Sequence, residues 1–474
     1  MPIRTVPGTD LTYYLLSHDE NGHERDESDG SRLSAAILQA VADPGQPVTD
    51  VFLASHGWKG DVAGAIEQYD RWIDAMGSMS ADRADARARV PGFRSLVVGL
   101  HWPSLPWGDE RTGGRGLLSG NAAGAEETAP SPAMIEAYAA RIADSPVARS
   151  AIALIVEAAS TASGSSQLTP PLQAAYAALF RESGLSPGAV AGAPGADQDG
   201  FDPQLIIDEA AATGVPVVPG PGVLAEGGRH RLRDLLLMPL RQLSFWKMKA
   251  RALTFGESGA HDLLIALQSA ASGTRFHLMG HSFGGIVVSG AVAGPAGGRP
   301  LPRPVDSLFL VQGALSLWSM AANVPYAPGT AGYFARIVGD GLVKGPIVTT
   351  RSSHDKAVGR FYPLGAEIKK QFLLAPQPFP KYGGVGAFGL QGLRSAARDQ
   401  RMQGETFGYD FHGRTVYNLE ASTVIAKEDG ASGAHSDIAH PAVAHVQWQV
   451  ALAGHPPRST VKPRTAGSMR GGPG

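Results

Sequence analysis

The chain alternates between short, fully apolar runs and longer segments that carry apolar residues at helical spacing. Runs of β-branched and large apolar residues are typical of strands that are buried on both faces of a parallel sheet. Segments with apolar residues at helical spacing lie between these runs, for example at 34–42 and 249–272. We therefore predict an α/β fold with a mostly parallel sheet. The predicted strands are 10–17, 51–55, 95–102, 275–279, 305–314, 346–350 and 414–422.

An unusually long segment separates the run that ends at Trp102 from the one that begins at Arg275. A crossover between parallel strands with a single helix needs only about 25 to 35 residues. Pro132 and Pro171 suit the first position of helices in this segment. The stretch 186–222 is rich in glycine and proline, which is typical of a flexible linker. We therefore predict an inserted helical cap.

These patterns divide the chain into a core and an insertion. The core takes residues 1–102 and 246–453, and the cap takes 103–245. Residues 454–474 are polar, basic and rich in glycine and proline, so we expect a disordered tail. The cluster of Phe245, Trp246 and Met248 is predicted to belong to the core rather than to contact a substrate.

Composition excludes several classes of function. A formal charge of −2 among 474 residues gives no basis for binding nucleic acid or an anionic membrane. The absence of cysteine excludes disulfides, thiolate metal sites and cysteine nucleophiles. The first residues lack an export signal, and no apolar stretch approaches the ~20 residues that span a bilayer. We expect a cytoplasmic protein without a transmembrane segment.

The pattern Gly280-His281-Ser282-Phe283-Gly284 lies between a predicted strand and a predicted helix. Such a G-x-S-x-G pattern arises by chance about half the time in so glycine-rich a chain, so its context carries the argument. A strand, a very tight turn and a helix are what an exposed serine nucleophile requires. Glycines two residues either side avoid a steric clash in that turn. Ser282 is therefore the candidate nucleophile, and a loop serine between two elements is the alternative.

Through GHSFGG at 280–285, the chain resembles the α/β-hydrolase superfamily of serine hydrolases, in particular its esterases and lipases. The resemblance implies a three-layer α/β-hydrolase fold and an ester or lipid-like acyl substrate. It also implies that the backbone amides of Trp58, after the strand at 51–55, and of Phe283 bind the oxyanion. Two such donors each lower the barrier by about 3 to 4 kcal/mol. A glycine turn that merely ends a strand is the alternative for His56-Gly57-Trp58.

A serine nucleophile needs a histidine base, and the histidine needs a carboxylate that sets its tautomer. In this fold both follow the serine along the chain, in the order acid and then histidine. Asp355 comes directly after the strand at 346–350, which makes it the candidate acid. An aspartate that caps a turn is the alternative. Asp306 is the reserve candidate, but it precedes its strand and would lie at the wrong edge of the sheet.

The loop after the strand at 414–422 carries His435, which also resembles the histidine loop of the family. Pro441 suits the first position of the final helix, which makes His440 a helix cap and His445 a helix-face residue. A base must be reachable and well oriented, so His435 is the candidate. The predicted catalytic residues are Ser282, Asp355 and His435.

Other interpretations stay open at this stage. His435, Asp437 and His440 could ligate a metal, although the sequence offers no obvious further ligand. Residues 384–389 match a dinucleotide fingerprint, but they follow a proline-rich segment instead of a strand, so we predict a flexible loop there. We expect no cofactor and no metal. A catalytically silent binding protein and an acyltransferase are the alternatives to an esterase.

Overall fold

The computed structural model describes residues 3–58, 62–104, 132–185, 193–194, 196–198, 201–213, 227–358, 379–428 and 432–455. The tail predicted at 454–474 lies almost entirely outside these residues. So does about half of the linker predicted at 186–222.

A nine-stranded, mostly parallel sheet forms the centre of the described chain. Its order is β1-β2-β4-β3-β5-β6-β7-β9-β8, and only β1 runs antiparallel to its neighbour. The predicted α/β class and mostly parallel sheet are thus confirmed. The strands are β1 Ile3–Thr5, β2 Thr12–Ser17, β3 Asp50–Ser55, β4 Ser95–His101, β5 Arg275–His281, β6 Ser307–Val311, β7 Ile347–Arg351, β8 Ala397–Arg401 and β9 Val416–Glu420.

The register of the sheet brings distant segments to one edge. Ser55 pairs with Gly280, Gly280 with Leu310, Leu310 with Thr349, and Thr349 with Asn418. Since parallel strands all end at the same edge, the residues just after each strand become neighbours. Strands β3 and β6 are buried throughout, which agrees with the apolar runs at 51–54 and 308–311 within them.

The two outermost strands were not predicted. β1 has three residues, and β8 reads ARDQR and is mostly exposed. Neither has a buried face that would give an apolar pattern, and charges on an edge strand discourage pairing with other chains. Neither sequence therefore shows the apolar pattern that predicts a strand.

Helices cover both faces of the sheet. On one face, α1, α9 and α10 share a hydrophobic cluster with the strands. On the other, apolar residues of α2 and α13 pack on the sheet together. Helices α2, α3, α5, α7, α11 and α12 were not predicted, nor was the part of α8 before residue 249. The helices are α1 Leu33–Ala42, α2 Val62–Ser78, α3 Ser80–Arg89, α4 Pro132–Arg141, α5 Pro146–Ser160, α6 Pro170–Glu182, α7 Pro203–Thr213, α8 Gly227–Phe255, α9 His261–Ala270, α10 Gly284–Ala293, α11 Ala335–Gly339, α12 Val385–Phe388 and α13 Pro441–Leu452.

Five helices, α4 to α8, lie between β4 and β5. Their apolar residues belong to the same cluster as residues of the sheet, so they share its core. Helix α8 runs without a break through residue 245, where the sequence suggested a boundary between cap and core. Trp246 and Met248 are fully buried, in agreement with the predicted core role.

The stretch predicted as a linker at 186–222 is not a linker throughout, because Pro203–Thr213 forms helix α7. Ile206 and Ala210 lie one helical turn apart and pack against Met238 of α8. Glycine and proline on both sides concealed this short apolar face. Among the described helices, none has the length and apolar character needed to cross a membrane.

Candidate functional site

Ser282 occupies a strained turn between β5 and α10. Its φ of 55° lies in the left-handed region that residues with a side chain rarely adopt. That conformation costs about 1–2 kcal/mol. Two hydrogen bonds to the end of β6 stabilise it: Ser282 N–H donates to Val311 O (3.2 Å), and Ala314 N–H donates to Ser282 O (2.9 Å). Strain held in this way at a serine is typical of a functional turn.

Three glycines make room for this turn. A Cβ added at Gly280 would overlap the backbone of Gly284, and one at Gly284 would overlap the backbone of Ser55. A Cβ at Gly57 would lie 2.6 Å from the Cβ of Ser282. The elbow and the loop after β3 are therefore in direct contact, and only glycine fits where they meet.

His435 and Asp355, which are 80 residues apart in the sequence, meet at the carboxyl edge of the sheet. Nδ1 of His435 lies 2.8 Å from Oδ2 of Asp355. A carboxylate only accepts hydrogen bonds, so Nδ1 carries the proton and Nε2 of the neutral ring keeps its lone pair. This is the tautomer that a general base at Nε2 requires.

Asp355 is held by two further donors. Gln312 Nε2 donates to Oδ2 (2.9 Å), and the N–H of Val358 donates to Oδ1 (2.9 Å). Gln312 is itself fixed by Thr350, whose hydroxyl donates to its Oε1 at 2.8 Å. The carboxylate is only 3% exposed, so these donors replace the water that it loses. Its orientation toward His435 is therefore well defined.

Asp306, the reserve candidate for the acid, lies at the opposite end of the sheet. Its Oδ2 accepts from the N–H of Phe276, at the start of β5. Its Oδ1 forms an ion pair with Lys344 at 2.7 Å. The amino ends of the strands and their carboxyl ends are separated by the length of the sheet, so Asp306 cannot contact His435.

The loop of His435 is also attached to the strand of the elbow. His281, the residue before Ser282, has its Nε2 2.9 Å from the backbone oxygen of His435, and the two rings lie 4.9 Å apart. Ser282 and His435 are both buried, at 5% and 8% exposure. Among the described contacts of His435, no hydrogen bond joins its ring to the Ser282 hydroxyl. Such bonds are often long before a substrate binds.

The loop after β3 is fixed by buried polar groups. The Tyr69 hydroxyl accepts from the N–H of His56 (2.9 Å) and donates to Leu100 O (2.6 Å). Burial raises the pKa of Tyr69 well above its usual range, which keeps this hydroxyl protonated. Ser104 Oγ donates to the carbonyl of Gly57 at 3.1 Å. These bonds set the path of the backbone that leads to Trp58.

Trp58 and Phe283, whose amides are the predicted oxyanion donors, lie side by side. Their ring centroids are 5.9 Å apart. Phe245 of α8 contacts both, at 5.9 Å from Trp58 and 5.0 Å from Phe283. Phe283 immediately precedes α10, and the first amides of a helix have no partner within the helix. The amide of Phe283 therefore has the position of an anion donor.

The segment 384–389 is not the flexible loop that its sequence suggested. Val385–Phe388 forms the short helix α12, and Val385 and Gly386 are buried. A Cβ at Gly386 would lie 2.9 Å from Oδ2 of Asp355, and Gln312 Nε2 donates to Gly386 O at 3.1 Å. The glycines thus serve the close packing of α12 against Asp355, a role that their spacing alone does not reveal.

The remaining histidines of the region have other partners. His440 is the N-cap residue of α13, as predicted, and its Nε2 lies 2.8 Å from Asp437 Oδ1. His445 lies on α13 and binds Asp82. Because Nδ1 of His435 faces Asp355, this nitrogen does not form a metal site with His440 and Asp437. Within the residues that the structure describes, no three histidine or acidic side chains are arranged to hold a metal ion.

Two groups at this edge were not found from the sequence. Gln312 follows β6 and supports Asp355, and His281 is the last residue of β5 and supports His435. The predicted strand 305–314 placed Gln312 inside the strand, whereas β6 ends at Val311, so Gln312 lies at the carboxyl edge that follows it. His281 looked like an ordinary residue of the G-x-S-x-G pattern.

No family model matches this chain, and neither a search of curated proteins nor a search of solved structures finds a match.

Proposed function

We propose that this chain is a serine hydrolase of the α/β-hydrolase type that cleaves a carboxylic ester through an acyl-enzyme intermediate. One observation carries the proposal. The bond between His435 and Asp355 (2.8 Å) lies at the same sheet edge as the strained Ser282 turn, and His281 links the loop of His435 to the residue next to Ser282. A nucleophile, a base and a carboxylate on three different strand ends are the minimum that this chemistry needs.

In the first step, the Ser282 hydroxyl oxygen attacks the carbonyl carbon of the ester. His435 accepts the hydroxyl proton at Nε2, because its Nδ1 already carries a proton that donates a hydrogen bond to Asp355. The carboxylate stabilises the imidazolium that forms. The tetrahedral intermediate then collapses, the carbon–oxygen bond to the alcohol breaks, and His435 returns its proton to the leaving alcohol. The product is an ester between the acyl group and Ser282.

In the second step, a water molecule attacks the acyl-enzyme with His435 again as base, which releases the acid and restores the Ser282 hydroxyl. In both steps negative charge develops on the carbonyl oxygen of the substrate. The amides of Trp58 and Phe283 are the proposed donors to that oxygen. Each preorganised donor is worth about 3 to 4 kcal/mol of transition-state stabilisation.

The surroundings of these amides favour an apolar acyl group. The side chains of Trp58, Phe245 and Phe283 are in mutual contact beside the turn of Ser282. Of the three, only Trp58 is partly exposed, while Phe245 and Phe283 are 8% and 1% exposed, so Trp58 is the side chain that can offer an apolar surface to the acyl group. We propose that the helices between β4 and β5 act as a cap, since Phe245 comes from α8.

A fluorophosphonate probe tests the nucleophile directly, because it reacts only with an activated serine. We expect the wild type to be labelled and Ser282→Ala not to be. Ser269→Ala is the matched control: this serine is exposed on α9 and its hydroxyl bonds only to Ile265 O at 2.7 Å, so labelling should persist. Equal labelling of wild type and Ser282→Ala would contradict the proposal. No labelling at all would favour a catalytically silent binding protein.

Turnover of p-nitrophenyl esters tests the base. His435→Ala should lower kcat/KM by several orders of magnitude, since a serine hydroxyl is a poor nucleophile without a base. A series of esters with increasing acyl length should then show a preference for apolar chains. Adding an alcohol as a competing acceptor of the acyl group distinguishes a hydrolase from an acyltransferase. An acyltransferase forms a new ester with the alcohol, whereas a hydrolase releases the acid.

A further inference from the structure

His281 is the last residue of β5, so it is covalently attached to Ser282. Its ring is 1% exposed and lies on the side of the sheet that α2 covers, where Trp72 contacts it edge-on with ring centroids 6.1 Å apart. One ring nitrogen faces Gln68 of α2 and the other faces the backbone of His435. His281 therefore joins three elements at the candidate site.

The partners of His281 fix which of its nitrogens carries the proton. The carbonyl of His435 only accepts hydrogen bonds, so Nε2, at 2.9 Å, must donate to it. The other nitrogen, Nδ1, then keeps a lone pair, and Gln68 Nε2 donates to it at 3.2 Å. The carbonyl of His435 thus sets the tautomer of His281, and Gln68 supports it by donating to the ring nitrogen that carries no proton.

The bond from His281 acts on the backbone of His435, while the bond to Asp355 acts on its ring. A further backbone bond, from Ala434 N–H to His354 O at 2.8 Å, attaches the same loop to the segment of Asp355. Among the hydrogen bonds described for this loop, the bond from His281 is the one that reaches the strand of the nucleophile. The bond therefore sets the distance between Ser282 and His435.

We propose that His281 is a positioning residue that holds His435 in register with Ser282, and that Gln68 supports this role by donating to Nδ1 of His281. This inference rests on the proposed serine hydrolase function. Neither residue touches the reacting atoms. Both act through the position of the base, where a displacement of about 1 Å can cost on the order of 100-fold in rate.

The variants His281→Phe and His281→Gln separate positioning from packing. Phenylalanine keeps a ring but has no donor, whereas glutamine keeps an amide donor near Nε2. We expect His281→Phe to lower the rate constant of fluorophosphonate labelling by about 10- to 100-fold and His281→Gln to restore it to within about threefold of wild type. Gln68→Leu removes the donor to Nδ1 of His281 and should lower the labelling rate constant by a smaller factor than His281→Phe does. Far-UV circular dichroism checks that each variant is folded.

A second measurement does not depend on activity. The proton shared by His435 and Asp355 should give a strongly downfield proton NMR signal, assigned by its loss in His435→Gln. We expect this signal to be weakened or shifted in His281→Phe and recovered in His281→Gln. Labelling and signal that are both unchanged in folded His281→Phe would overturn the inference. If the wild type is not labelled, the hydrolase proposal fails, and the response of the signal alone then decides whether His281 positions His435.

Discussion

Replacing Asp355 by asparagine tests the arrangement of the site most directly. Oδ2 accepts from both His435 Nδ1 and Gln312 Nε2, while Oδ1 accepts from the N–H of Val358. An asparagine has only one acceptor oxygen. If the asparagine oxygen faces His435, its NH₂ group faces the N–H of Val358. If the amide is flipped, its NH₂ group faces the donors of His435 and Gln312. Either orientation leaves a buried donor unsatisfied, which costs about 1–3 kcal/mol of stability.

The catalytic loss is larger, because the carboxylate charge disappears. At a charge separation of ~4 Å and an effective dielectric constant of ~20, a carboxylate stabilises an imidazolium by about 4 kcal/mol. Each ~1.36 kcal/mol is a factor of ten in rate, so Asp355→Asn should lower kcat/KM by about 10³-fold. The flipped orientation would favour the wrong tautomer of His435 and lower it further.

The assay is p-nitrophenyl ester turnover, measured beside urea unfolding. Asp306→Asn is the matched control, because Asp306 is also buried and hydrogen-bonded but lies at the other end of the sheet. It should change stability and leave kcat/KM within about threefold of wild type, since it is far from the reacting atoms. A folded Asp355→Asn variant with near-normal turnover, or a larger loss of activity in Asp306→Asn, would refute the assignment of the acid.

Two further predictions follow from close contacts elsewhere. Gly57→Ala places a Cβ 2.6 Å from the Cβ of Ser282, so fluorophosphonate labelling should slow by about 100-fold. Gly273→Ala is the control and should be labelled at the normal rate, because a Cβ added there meets no atom of the described chain within 4 Å. Burial opposes protonation of His445, but its hydrogen bonds to Asp82 and to the carbonyl of Phe407, together with the charges of Asp82 and Glu405, outweigh burial and raise its pKa. The resulting stabilisation is complete below the unfolded value of about 6.5 and is lost as the pH rises through the raised folded pKa. Urea unfolding should therefore show a larger difference between wild type and His445→Gln at pH 6 than at pH 9, and an equal difference at both would contradict it.

Several parts of the fold followed from local sequence. Strands buried on both faces must be apolar throughout, and those at 51–55, 95–102 and 305–314 were found for that reason. The turn at Ser282 was also predictable from the sequence. Its glycines are needed because an added Cβ would meet the backbone of nearby residues or of the adjacent strand. The edge strands and helix α7 were missed, since their burial is slight or their apolar face is short.

The placement of Asp355 and His435 at one edge was predictable from the rule that parallel strands end together. The groups that support their hydrogen bond were not. Gln312 and His281 become part of the site only because the strand register sets them beside Asp355 and His435, more than 40 and 150 residues away in the sequence. The sequence shows which residues can donate or accept a hydrogen bond, and local spacing shows which of them follow a strand. Only the packed sheet decides which donors face which acceptors, because that depends on distances between chain segments that have no local pattern.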